Sequence, residues 1–164
     1  MNPRVPVFVS YAHEDESYLN QLLTVLKPLE MQDQVCAWSD LKIGVGKEWE
    51  SAIEVSIGNA KAAVLLISQH FLASEFIRQS ELPRLLDERC QGLPIFPLIV
   101  GPCLYDLAVF KYPDPEDGPE AFQLASIQTV NSPEKPLSKM AKSEREEVLV
   151  ELARKLNDIW RGNS

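Results

Sequence analysis

Among the ionisable side chains, Glu81 has the most unusual setting. It lies two residues before a proline, in FIRQSELPRLL, a run from Phe76 to Leu86 otherwise patterned as a helix. Ile77, Leu82, Leu85 and Leu86 outline an apolar face, but a proline inside a helix removes a hydrogen bond and clashes with the preceding turn. The expectation is a break, with a fresh helix capped by Ser80 and Glu81, Leu82 and Pro83 in its first turn, where the missing N–H of proline does no harm. A carboxylate there is favoured by the helix dipole alone. Beside a ligand cleft, the same group could stabilise positive charge developing on a substrate.

Other chemistries fare less well. GxxxxGK[ST] and GxGxxG fingerprints are missing, as is the GxSxG elbow of serine hydrolases. DLKIGVGK resembles a phosphate cradle only weakly, and a flexible interaction loop explains it as well. His13 and His70 follow strand ends without cysteine neighbours, so no metal site is expected. The third strand closes in Ile67-Ser68-Gln69 rather than in an aspartate, which removes a phosphate-accepting receiver domain. Cys36, Cys90 and Cys103 are odd in number and widely spaced, so they read as reduced, packed thiols.

The elements that must position Glu81 can be read from periodicity. VPVFVS (5–10) and AAVLLIS (62–68) are apolar runs suited to strands covered on both faces, and QVCAW (34–38) is a shorter one. LPIFPLIVG (93–101) contains two prolines, tolerable at a strand start or on an edge. A short fifth strand is expected near Ile127. Helices are expected over 15–30, closed by Pro28 and the polar residues beyond it, from Trp49 to a stop at Gly58-Asn59, and over 143–160, with Ser143 and Glu146 as a capping box. Residues 102–120, crowded with proline and acid, read as an excursion loop with room for a short helical turn. Five strands alternating with helices imply a flavodoxin-like doubly wound parallel sheet with helices on both faces. Ligands of such sheets bind at the carboxyl ends of the strands, near the reversal of strand order.

At 164 residues, one domain spanning 1–164 is expected. A net charge of −8 disfavours binding to a phosphate backbone, so nucleic acid is not an expected partner. No apolar run approaches the ~20 residues of a membrane span, and acids follow soon after the N-terminus. No membrane association or export is therefore expected, and the cytoplasm is the expected place of work.

FVSYAHED at the end of the first strand, WSDLKIGVGKEW after the second, and LLIS closing the third, followed by ASEFIRQSEL, resemble, in order and spacing, the boxes of a Toll/interleukin-1 receptor (TIR) domain. Phe8, Ser10 and Tyr11 carry the first box, and Asp40, Gly44 and Gly46 carry the loop that such domains use for contacts and substrate gating. The resemblance runs from about Val5 to Trp160, with a bacterial or archaeal flavour. It implies the TIR fold and a choice between two functions. One is an NAD+ hydrolase or cyclase that cleaves the nicotinamide-ribose bond, NAD+ being substrate and no cofactor being needed. The other is a noncatalytic TIR–TIR interaction module or host-signalling mimic.

For the enzyme, the resemblance puts the catalytic glutamate at Glu81, followed by Leu82, and substrate contacts at Tyr11, Asp40, Lys42, Trp49, Ser68 and Phe76. Several of these have a plainer alternative: capping or turn formation for Tyr11 and Asp40, core packing for Trp49, and solvation for Lys42, as for Lys47 beside it in the same loop. One departure is evident: position 77 is Ile, and the aromatic Phe76 stands five residues before Glu81 rather than four. The resemblance further implies activation by self-association through the loop after strand two, extending into filaments, a fused or separate sensor domain, and a role in prokaryotic antiphage defence. The chain is thus also readable as one domain excised from a longer protein.

Overall fold

A computed structural model describes residues 3–39, 49–111 and 121–162. Strand β1 (Val5–Ser10) shows how alternation builds the layers. Val5, Val7 and Val9 enter one core cluster and Phe8 the other, on opposite faces of the sheet. Strand β3 (Ala62–Ile67), buried at every residue, divides in the same way. On the first face, helix α1 (Glu16–Met31) contributes Leu19, Leu22 and Leu26, and helix α5 (Lys142–Gly162) contributes Leu149, Leu152 and Leu156. On the second, helix α2 (Trp49–Asn59) contributes Ile53 and Ile57, and a later helix Leu82, Leu85 and Leu86.

The central sheet is parallel, with strand β2 (Val35–Trp38) and strand β4 (Ile95–Ile99) on its edges and the order β2-β1-β3-β4. The doubly wound α/β reading therefore holds, with a four-stranded sheet in place of five. Near Ile127 there is a 3-10 turn, Leu124–Ser126, and then irregular chain. The outer edge of β4 is closed by other means. Val130 donates its N–H to Pro97 O at 2.8 Å, and the buried side chain of Asn131 accepts from Ile99 N at 2.8 Å and donates to Ile99 O at 2.9 Å. One amide side chain thus does for Ile99 what a fifth strand would do. Pro97 lies on this edge, where its lack of an N–H breaks no ladder bond.

The excursion after β4 contains the expected helical turn, Tyr105–Leu107, and in addition an antiparallel pair, β5 (Val109–Lys111) and β6 (Ala121–Gln123). Pro28 does not close α1, which runs on to Met31. Its end is a Schellman arrangement: Asp33 N–H reaches Glu30 O, Gln34 N–H reaches Leu29 O, and Asp33 takes φ 58°. Helix α5 starts earlier than expected, since Arg145 N–H already bonds Ala141 O at 3.0 Å, which places Ser143 inside the first turn rather than at the cap.

The largest correction concerns the segment that holds Glu81. After β3 comes a short helix, α3 (Gln69–Ala73), capped by Ser68. The next helix begins at Ser74, whose Oγ accepts from Ile77 N at 3.2 Å, and not at Ser80. It continues without a break through a π turn, Ile77–Glu81, into α4 (Leu82–Cys90). Leu82 N–H bonds Ile77 O, five residues back, so the turn holds one residue more than an α turn. Pro83 follows immediately. Widening the helix just before a proline opens the place where its ring would meet the carbonyl four residues earlier.

Candidate functional site

The site begins with the parity of β1. Because Phe8 faces the α2–α4 layer, Ser10 two residues on faces it too, at the carboxyl end of the strand. The π turn places Glu81 over this end, and Ser10 Oγ donates to Glu81 Oε1 at 2.7 Å. Both residues are inaccessible to bulk solvent, Ser10 at 0% and Glu81 at 3% exposure. A buried carboxylate is costly unless hydrogen-bonded, and a bond of this charge-assisted kind contributes about 1.5–3 kcal/mol. Glu81 has therefore not been left on a solvated helix face.

A second buried acid lies at the same edge. Asp15, in the 3-10 turn His13–Asp15 after β1, accepts a hydrogen bond from Ser68 Oγ. Ser68 also accepts from Phe71 N at 3.1 Å as the cap of α3. Its hydroxyl thus ties the loop after β1 to the end of β3, a positional role beside the substrate contact expected of it. Since β1 and β3 are neighbours flanking the reversal of strand order, the paired serines and acids gather where ligands of doubly wound sheets bind. Nothing in the sequence separates Asp15 from Glu14 and Glu16, which are exposed. The signal for Ser10 was its even-numbered place on β1.

Phe76 is half-buried and packs on the α2–α4 cluster. In an α-helix, residues five apart stand about 140° apart around the axis. Closing the helix five residues back instead brings such a pair near one face, as four-residue spacing does in a regular helix. The π turn therefore offsets the five-residue separation of Phe76 and Glu81.

Tyr11 is not brought to Glu81. It is buried among the α1–α5 side chains on the opposite face of the sheet, stacked on His13 with ring centroids 5.8 Å apart. The alternation of β1, carried one residue past its end at Ser10, decides this. Asp40, Lys42, Gly44, Gly46 and Lys47 lie outside the described residues, as does the side chain of Trp49, which heads α2. Arg78 is engaged elsewhere: its guanidinium lies 4.6 Å from the Phe110 ring centre and donates to Val109 O. Arg84 pairs loosely with Glu88 one turn on, at 3.9 Å.

No cluster of three or more His, Cys, Asp or Glu suited to a metal ion occurs among the described residues. No helix there is long and apolar enough to cross a membrane. Cys36, Cys90 and Cys103 form no disulfide among the described residues, and burial pushes the pKa of Cys103 up. Tyr105 donates to Leu124 O and Ile127 O, and its pKa is raised to about 12 by burial and by Cys103 beside it.

An uncharacterized protein of Sinorhizobium fredii, y4lF, is 33% identical over 105 residues, 63% of this chain and 32% of that protein. The chain thus spans about a third of the length of that relative. Among solved structures, the TIR domains of the activated Roq1 resistosome directly recognizing the pathogen effector XopQ are similar at a TM-score of 0.49 and 20% identity, over 92% of this chain and 84% of that one. The family model for the TIR domain matches residues 7–130, from inside β1 to the chain that seals the edge of β4. With that match across more than half of its length, the chain belongs to the TIR domain family.

Proposed function

We propose that this domain is an NAD+ nucleosidase in which Glu81 is the catalytic carboxylate. The observation that carries the reading is a buried glutamate, 3% exposed and hydrogen-bonded to Ser10, at the carboxyl ends of parallel strands. In NAD+ the nicotinamide is a pyridinium, so the C1′–N bond can break with its electron pair going to a neutral leaving group. No general acid is required. The ribose becomes oxocarbenium-like, and an anion held nearby in a dry site stabilises that charge. Water, or a nucleophile on the adenine or second ribose of the retained ADP-ribosyl group, then bonds to C1′ and loses a proton, giving ADP-ribose or a cyclic isomer. Phe76, half-buried on the turn before Glu81, is suited to stack on an aromatic ring of the substrate.

Activation by self-association completes the proposal: the loop after β2 of one copy docks on the next and can extend into filaments, since such a contact is heterologous. In a cell, a fused or separate sensor would gather the domains in the cytoplasm during antiphage defence. The noncatalytic interaction module is favoured by a different observation, the exposed Leu104 and Leu107 beyond β4.

Concentrated purified protein, with and without a crowding agent, is incubated with NAD+, and nicotinamide and sugar products are measured by mass. Release by the wild type with a loss of about 100-fold or more in Glu81→Gln is expected. Equal turnover by the two would sink the assignment, and no release even from the clustered protein would favour the interaction module.

A further inference from the structure

We infer that Ser10 is a positioning residue for the reaction, fixing the Glu81 carboxylate in the orientation that meets the developing cation. This rests on the proposal that Glu81 is the reacting acid, and goes beyond it by assigning a role to the fully buried Ser10 behind it. Three features support it. Ser10 is fully buried on the last position of a central strand, so its Oγ is held by the most rigid part of the fold. Glu81 sits on the last residue of a π turn, an irregular element found frequently at functional sites. The 2.7 Å bond from Ser10 Oγ to Glu81 Oε1 joins positions 71 residues apart in the chain, linking the sheet to that turn.

A glutamate has three side-chain torsions, and fixing one carboxylate oxygen sets both the plane of the group and the direction of its second oxygen. That setting decides how closely the anion approaches C1′. Misplacement by about 1 Å is enough to lower a rate ~100-fold. The neighbouring pair differs in kind. Ser68 donates to Asp15 while capping α3, a link between two loops, whereas Ser10 caps no helix among the described residues and its hydroxyl is directed to Glu81.

The test uses the full chain under conditions where the wild type releases nicotinamide. Initial rates give kcat and KM for NAD+ in wild type, Ser10→Ala, Ser10→Cys and Ser10→Thr, with thermal unfolding followed for each. A positioning role predicts that Ser10→Ala and Ser10→Cys lose about 10- to 100-fold in kcat with KM within about threefold. Ser10→Thr, which keeps the hydroxyl, returns kcat to within about fivefold of the wild type. If Ser10→Ala does not fold, the nearly isosteric Ser10→Cys carries the comparison. A folded Ser10→Cys with wild-type kcat, or a fall in Tm with kcat per folded molecule unchanged, overturns the inference. Wild-type protein that never releases nicotinamide overturns the enzymatic reading itself. Turnover abolished by Glu81→Gln and indifferent to Ser10 overturns only the positioning role.

Discussion

Deleting Gln79, an exposed residue of the π turn, tests why the helix that holds Glu81 is irregular. The deletion leaves an α turn's worth of chain between Ile77 and Leu82, both of which stay on the core side, and Phe76 becomes the fourth residue before Glu81. A regular helix through this point brings the ring of Pro83 against the carbonyl now four residues behind it. Such a proline costs about 3 kcal/mol in a helix interior. For a chain of this size, that corresponds to a fall of roughly 6–12 °C in Tm. Combining the deletion with Pro83→Ala removes the clash, so the double variant is expected within about 1 kcal/mol of the wild type. Urea denaturation followed by circular dichroism measures both, and nicotinamide release from the double variant reports whether Glu81 has kept its place. Two results would refute the reasoning. A single deletion as stable as the wild type would mean that Pro83 has no part in the turn, and a double variant no better than the single would mean that the turn is not one inserted residue.

Asn131→Leu removes the amide that pairs with both Ile99 N and Ile99 O, so two buried backbone groups lose partners and stability is expected to fall by about 2–4 kcal/mol in chemical denaturation. Ser68→Ala strips the cap of α3 and the donor of buried Asp15 together; a loss of about 2–3 kcal/mol is expected, partly recovered in Ser68→Ala with Asp15→Asn, which no longer buries a charge. Tyr105 gives a pH signature: its pKa is higher in the folded chain, about 12, than the ordinary 10, so the folded state holds the phenol proton more tightly. The stabilisation is complete below pH 10 and is lost as pH rises from about 10 to 12, a fall in unfolding free energy that Tyr105→Phe should lack.

Much of the fold was legible because it rests on periodicity. The runs 5–10 and 62–68 could be recognised as central strands from unbroken apolar character, and the proline content of 93–101 marked an edge. The expected fifth strand failed for a reason that periodicity does not encode: Asn131 satisfies Ile99 through its side chain, which local pattern cannot distinguish from an ordinary loop asparagine. The proline rule correctly located a disturbance at Pro83 but named the wrong remedy, a helix break instead of a widened turn. Helical hydrogen bonds carry no residue-specific mark of a five-residue closure, and the packing of Ile77 and Leu82 against one core is a long-range constraint that the proline rule does not contain.

By itself, the sequence determined the layers, the carboxyl-end loops where a ligand of such a sheet is expected, and Glu81 as the candidate acid beside them, because alternation and box order are local properties of the chain. The tertiary structure decided which serine meets that acid and which aromatic shares its side. Ser10 lies on the face of Glu81 and Tyr11 on the other, a difference of one residue on a strand that becomes a whole sheet's thickness once both faces are covered.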